Sequence, residues 1–435
     1  MKIIALILLF GLSGAAAAGY KEAESALKNT EVREARELDA LLAQPGAALA
    51  KDARAAALLA DNRQALELFR QAAEAPNEGY LFAPKPEKLS FKTPAVKFGA
   101  HVKLIKLILI DAKIKTAEKQ AGSAEKDLLA AAGFIAQLSS QKSGVLLSSM
   151  VQQLCLLKTY PVLAESMRGT SARPAYLKEL AARLEKIAEN QDYMRAAMIE
   201  EAETAKGTMR ENVSPAGMVI ELGKLSPVQR LGAKKLQDQE FFSTVYGKYN
   251  AAVDEHAKVL IAAFRANDPS PVGAYLNKRQ REILARKQAR DERSTFSGLI
   301  DGMKGGPEAK KEMGDIVVDT MLNMSTPSYE KIIPRYHLFF CELNVLRAAL
   351  AVKLYQRGSR RLPDSLDQFA PSLLAAVPQD SFNKFGPVKY VKTGRKFLVY
   401  SFGPDGADGK GAASLDYEAY LENPARSAGD ILFAD

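Results

Sequence analysis

Over most of the span from Tyr20 to Gly358 the apolar residues of this chain recur every third or fourth position, with breaks at Pro76–Pro94, Met209–Pro227 and Gly298–Pro307, whereas beyond Val388 they gather into short β-type runs. The first spacing buries a stripe along a helix and the second a face of a small sheet. The expected fold is therefore α+β: a mainly α-helical bundle followed by a small C-terminal domain of helix plus short antiparallel sheet.

Strong helix formers dominate Tyr20–Ala75, broken at Pro45-Gly46, with Leu58, Leu59, Leu66 and Phe69 as the apolar stripe. Pro76–Pro94, rich in Pro, Lys and aromatics, reads as an extended connector. The spacing then predicts helices over Val102–Lys119, over Ala124–Leu138 with Ser123 as cap, and over Val145–Met167. This last helix is hydrophobic on most sides, hence central, with Pro161 as a kink point. One long helix is predicted over Pro174–Gly207 and an interruption over Met209–Pro227. Helices resume over Val228–Phe264 and Tyr275–Arg293, separated by the Asp268–Pro271 turn. Gly298–Pro307 is a glycine-rich connector, and Glu312–Leu322 a short helix. No repeat with a period of about 34 or 40 residues emerges, which favours an irregular bundle over a solenoid. Pro334 opens the last long helix, whose core face is Phe339, Leu343, Leu346, Leu350 and Leu354 and whose end is marked by Gly358. Pro363 and Asp364 then signal a further helix burying Leu366, Phe369 and Leu373.

At the other end, Lys2 precedes the apolar run Ile3–Leu12 and the small residues Ser13–Ala18. A short run with an Ala-x-Ala site has the form of a secretory signal peptide, with cleavage expected after Ala18. No Cys lies near that site, and no later segment has about 18 uninterrupted apolar residues. Val145–Leu157 comes nearest but holds Ser148, Ser149, Gln152 and Gln153. These features predict a bacterial protein of the periplasm or cell surface, with no stable transmembrane anchor after cleavage. The 435 residues suit two or three domains. The expected limits are 1–18 for the signal, 19–95 for a helical segment and connector, 96–330 for a helical domain and 331–435 for the α+β tail.

The formal charge of +9 is spread out. Lys278-Arg279-Gln280-Arg281 and Arg286-Lys287 to Arg290 run into Asp291, Glu292 and Arg293, the look of a solvated helix face. No nucleic-acid motif is present, and no nucleic-acid partner is expected. Cys155 and Cys341 lie in apolar helical patterns, and export permits either a bridge or two buried thiols. His101, His256 and His337 have no Cys or His at metal spacing and read as structural.

Chemistry concentrates in the tail. Val388–Lys392 and Lys396–Ser401 lead into the loop Phe402–Gly409, and Asp430 heads the run Ile431–Phe433. The Gly/Asp loop offers hard oxygen ligands separated by small residues, the material of a calcium site. Asp-Gly pairs also mark plain turns.

The order of parts over Tyr336–Phe433 resembles the C-terminal domain of the major pseudopilin of bacterial type II secretion systems. The carriers are the helix end Tyr355–Gly358, Leu362-Pro363-Asp364-Ser365-Leu366, Val377–Phe382, the Tyr400-Ser401-Phe402-Gly403-Pro404-Asp405-Gly406 stretch and Asp430-Ile431. The same tail is similar to one on uncharacterised exported bacterial proteins with a helical N-terminal region. The resemblance implies a calcium ion held by Asp405 and Asp408, closed by Asp430 and completed by carbonyls near Phe402. Two aspartates three apart on a Gly-rich loop can converge on one cation, which offsets their repulsion. The chain departs from the family in three ways. It has a cleavable leader in place of an assembly helix, so filament assembly is not implied. It has Asp380-Ser381 where the family has Asp-Pro. Its loop is lengthened by Ala412–Ala428, in which Asp416 and Glu418 are alternative ligands.

No nucleophile elbow, zinc-protease helix or phosphate loop is present. The acidic run Glu200-Glu201-Ala202-Glu203 reads as a solvated helix face. The expectation is a non-enzymatic exported structural or interaction protein, partnered by another envelope protein. The alternative is an exported hydrolase with its site in the helical region. Membrane-surface association through Lys278–Arg293 is a third option that its low Leu and Ile content weakens.

Overall fold

The computed structural model describes residues 18–28, 32–74, 98–139, 146–168, 172–189, 193–212, 239–268, 270–291, 307–325, 332–370, 372–423 and 427–435. The protein is α+β, mostly helical with two small antiparallel sheets near the C-terminus. It divides into two compact units, one comprising 195–333 with two N-terminal stretches, the other 12–85, 96–194 and 334–435. The expected leader through Ala17 and the connector Pro76–Pro94 lie outside the described residues.

In the larger unit α1 (Ala18–Ala26), α2 (Val32–Ala43), α3 (Gly46–Leu49), α4 (Ala53–Asp61) and α5 (Arg63–Glu74) lead to the long helices α6 (Phe98–Ala117), α7 (Ala121–Ser139), α8 (Leu146–Met167) and α9 (Pro174–Glu189). Helix α7 carries Ala130, Ala131 and Ala132, all buried, and its small surface lets α5, α6, α8 and α9 pack around it. Tyr20 is fully buried, edge-on to Phe69 at 5.4 Å and to Phe134 at 5.0 Å, and so fastens α1 to α5 and α7. His101 stacks on Phe134 at 5.7 Å.

A closed ionic square ties α5, α6 and α7. Arg70 reaches Asp111 and Asp127 at 2.6 Å each, and Lys115 reaches the same two at 2.7 Å each. The Asp127 side chain has no exposure, so its charge depends on these two cations.

The chain returns to this unit through α14 (Ile332–Ser359), buried on nearly every side from Tyr336 to Lys353. Arg347 grips Glu185 of α9 bidentately at 2.9 and 2.7 Å, and Arg357 donates to the Ala172 carbonyl at 3.0 Å. β1 (Gln379–Asp380) pairs antiparallel with β2 (Gly386–Pro387). β3 (Lys389–Thr393), β4 (Lys396–Ser401) and β5 (Ile431–Ala434) form an antiparallel sheet in that order. A two-residue turn at Gly394-Arg395 joins β3 to β4, with Gly394 at φ +62. The Tyr160 hydroxyl of α8 donates to the Leu432 carbonyl at 2.9 Å, so the tail is packed into this unit and does not stand alone.

In the other unit the described helices are α10 (Tyr193–Asn212, from residue 195), α11 (Gln239–Ala266), α12 (Ser270–Asp291) and α13 (Pro307–Ser325). Met209, Phe241, Phe242, Val245, Tyr249, Val253, Val318 and Leu322 form its core. His256 is buried against the Tyr275 ring at 5.3 Å, and desolvation, then the nearby Arg279 charge, pushes its pKa down to about 4.

Several expectations are corrected. Gln120, not Ser123, accepts the first amides of α7, so that helix starts earlier. The long helix from Pro174 is two helices, α9 and α10, and α10 runs through the expected interruption as far as Asn212. Leu366 and Phe369 are buried but form only a single tight turn, and Leu373 is exposed while Leu374 is buried. The turn is too short to carry the stripe on to Leu373. Both cysteines are buried free thiols.

Asp127→Ala is expected to destabilise by about 1–3 kcal/mol in urea unfolding, because Arg70 and Lys115 lose one of the two carboxylates they share and keep Asp111. Glu37→Ala, which removes the exposed pair with Arg54, should change stability by less than about 1 kcal/mol. His256 has a depressed folded pKa, so its stabilisation is present above its unfolded value of about 6.5 and is lost as pH falls toward about 4. His256→Gln should flatten that part of the stability–pH curve, by up to about 3 kcal/mol relative to wild type.

Candidate functional site

The tail is organised around Asp380, fully buried at the end of β1. Its Oδ1 accepts from the Phe382 amide at 2.9 Å and the Ser401 hydroxyl at 2.8 Å, and its Oδ2 from the Phe402 amide at 2.8 Å. The Cys341 thiol of α14 also donates to Oδ1 at 3.4 Å. Burial, then the Asp380 charge, pushes the Cys341 pKa up to about 12, which leaves the thiol a neutral donor and an unreactive one. The Asp380-Ser381 pair thus links the helix, the turn and the end of β4.

Beyond Ser401 the loop makes a sharp reversal. Gly403 has φ +72, and a side chain there would collide with the Gly429 carbonyl at 1.9 Å. The sequence-expected ligands take different places. Asp405 is exposed, its Oδ1 accepting from the Ala407 amide at 3.1 Å in a local turn. Asp408 Oδ1 accepts from the Tyr400 hydroxyl at 2.9 Å and the Lys410 amide at 3.0 Å. Asp430 is fully buried, and its Oδ2 accepts from the Gly411 amide at 2.7 Å while its Oδ1 has no partner among the described residues. A Cβ on Gly409 would lie 2.6 Å from that Oδ2, so glycine there keeps the loop backbone close over the carboxylate. Burial raises the Asp430 pKa; the Gly411 and Gly409 amides oppose this, and the Asp408 and Asp405 charges add to it.

The three aspartates therefore share one electrostatic neighbourhood. Among the described residues, however, no three acidic, Cys or His side chains converge into a closed metal cage. The donors that would suit a hard cation are a buried, unsatisfied carboxylate oxygen and two further carboxylates within electrostatic reach, while the Gly403, Ala407 and Gly409 carbonyls accept from backbone amides. Asp416 does not join it; its Oδ1 accepts from the Ala419 amide at 3.1 Å, at the start of α15 (Tyr417–Glu422). The Glu418 side chain lies outside the described residues. The insert is stitched to the site by its backbone, Asp430 donating to Ala413 O at 2.8 Å and accepting from Leu415 at 2.9 Å.

Sequence reasoning passed over Glu342, which is fully buried with neither carboxylate oxygen hydrogen-bonded among the described residues. Its signal was a lone acid between Phe339-Phe340-Cys341 and Leu343 on an apolar helix.

A cleft of about 220 Å³ lies between α11, α12 and α13. Lys248 in it is neutralised by Asp315 at 2.6 Å, and the Tyr275 hydroxyl donates to the Ala252 carbonyl at 3.3 Å. Its lining places acids beside bases and offers no Ser, Cys or His among the described residues. Glu203, the exposed acid of the run on α10, pairs with Lys206, which also reaches Asp254 of α11 at 2.5 Å. Glu200 and Glu201 are half-buried, so the run is not a fully solvated face. No described helix is long and apolar enough to cross a membrane. Compared with protein-family models, curated proteins and solved structures, the chain finds no match.

Asp380→Ala is expected to destabilise by about 3–5 kcal/mol, because four donors lose their shared acceptor. Asp380→Asn, which retains one acceptor oxygen, should lose clearly less; comparing the two denaturation midpoints checks the assignment.

Proposed function

We propose that this chain is an exported, non-enzymatic structural or interaction protein whose pseudopilin-like tail is clasped by calcium. The observation that carries the reading is the buried, unpartnered Oδ1 of Asp430 beneath a glycine-built loop, within electrostatic reach of Asp405 and Asp408. Calcium would be held by these three carboxylates and neighbouring loop carbonyls. It would supply charge neutralisation and cross-link the end of β4 to the start of β5, and no chemical step is assigned to it. The periplasm or cell surface is the proposed location and another envelope protein the proposed partner, resting on the N-terminal residues and on the resemblance of the tail. Of the three expected ligands, Asp430 is the anchor of the proposed site, because it alone is buried.

Saturating calcium is expected to raise the melting temperature of the whole chain by about 3–5 °C, corresponding to about 2.7 kcal/mol at a hundredfold excess over Kd. Magnesium should do less, because it demands near-ideal octahedral geometry and gives up its waters reluctantly. Asp430→Asn should abolish the calcium gain while leaving the protein folded without calcium. Differential scanning fluorimetry reads all three, and an unchanged wild-type curve at millimolar calcium overturns the clasp.

A further inference from the structure

Glu342 has no exposure to solvent, and among the described residues neither of its oxygens completes a hydrogen bond. A carboxylate in such a place is penalised unless a cation or several donors accompany it. Among the described residues, no cation is among the groups that act on it. The groups facing it are Tyr160 from α8, Tyr417 and Tyr420 from α15, and Cys341 beside it on α14, with Asp380 beyond Cys341. The Tyr417 hydroxyl faces it without completing a well-formed hydrogen bond, and its dipole favours the ionised form. Burial raises the pKa of each tyrosine and of Cys341, so these four groups stay neutral in mildly alkaline solution. The carboxyl of Glu342 is itself pushed well above the usual range by desolvation.

The elements around Glu342 differ in how firmly they are held. Helices α8 and α14 are core helices of 22 and 28 residues. Helix α15 has six residues, fixed through the Tyr420 hydroxyl on the Pro334 carbonyl at 2.7 Å and through ring contacts of Tyr420 with Phe382 and of Tyr417 with Tyr160, each at 6.5 Å. A charge appearing on Glu342 is relieved most cheaply by lifting α15 and admitting water. We propose that the neutral carboxyl of Glu342 is a proton-held latch that keeps α15 seated on α14, and that its deprotonation releases α15. The residues just before α15 bond to Asp430, so the latch sets how firmly the flank of the Gly/Asp loop is held. The inference stands on Glu342 and α15 whether or not the loop takes a cation.

Hydrogen exchange of the full chain tests it, with rates corrected for intrinsic pH dependence. Amides of 417–422 are expected to exchange about tenfold faster at about pH 9 than at about pH 6, while those of β4 hold their protection. Glu342→Gln copies the neutral acid and should keep α15 protected at both pH values. Tyr417→Phe removes the hydroxyl that favours the charge and should move the opening to higher pH. A wild-type chain without the step, a Gln variant that retains it or fails to fold, or a Phe variant whose opening moves to lower pH each overturns the latch.

Discussion

The buried carboxylate of Asp380 is the point on which the C-terminal architecture depends. One side chain with two oxygens accepts from the turn that follows it, from the last residue of β4, from the start of the Gly/Asp loop and from a thiol on the central helix. Each of these donors belongs to a segment that would otherwise end in unsatisfied polar groups away from water, where an orphaned amide costs about as much as a whole hydrogen bond stabilises. The loop can therefore leave Ser401 in a fixed direction and come back over Asp430. The position of the candidate metal ligands is inherited from a residue that is not one of them.

The larger unit treats buried charge in two opposite ways. Asp127 is given two cations at hydrogen-bonding distance, and Lys353 is given the carboxylate of Asp435. Asp430 and Glu342 are each left with an oxygen that nothing in the described chain satisfies. The first kind of burial fixes helices in place; the second holds a group whose charge the fold tolerates only with help from a cation or a proton. Both unsatisfied acids sit beside the same insert, 412–428, which pairs with Asp430 through its backbone and with the surroundings of Glu342 through Tyr417 and Tyr420.

Much of this fold was legible because period and composition agree. The strands 396–401 and 431–434 and the last long helix, expected from Pro334 and found from Ile332, follow from apolar spacing and turn residues, whereas the helix expected from Tyr275 starts at Ser270, inside the expected Asp268–Pro271 turn. The break between Glu189 and Tyr193 was passed over because it holds no Gly or Pro, although Asn190 and Asp192 are poor residues for a helix interior and good ones for a cap. Leu373 was misplaced because a one-turn element and a full helix share the same start signals. Glu342 was invisible because an acid between apolar neighbours has the same spelling whether its side chain is buried or solvated. Only the packing of α8 and α15 around α14 decides that. In the loop, the aspartates were identifiable as residues, but their ranking was not: Asp430 lies deepest because its own backbone pairs with the insert, a long-range fact no local pattern carries.

The hydrogen bond from Tyr160 to the Leu432 carbonyl joins residues 272 positions apart, and the unit containing both is assembled from separated stretches of chain. High sequence separation of contacts slows folding, since loop closure must come before the contacts that reward it. A chain of this layout cannot finish its larger unit while it is being delivered from the N-terminus. Helices α1 to α9 emerge with the slot for α14 and β5 still empty, and their apolar faces wait until the last hundred or so residues arrive. Truncation near the C-terminus would therefore do more than remove a tail: it would leave the earlier helices with an open core, prone to aggregation.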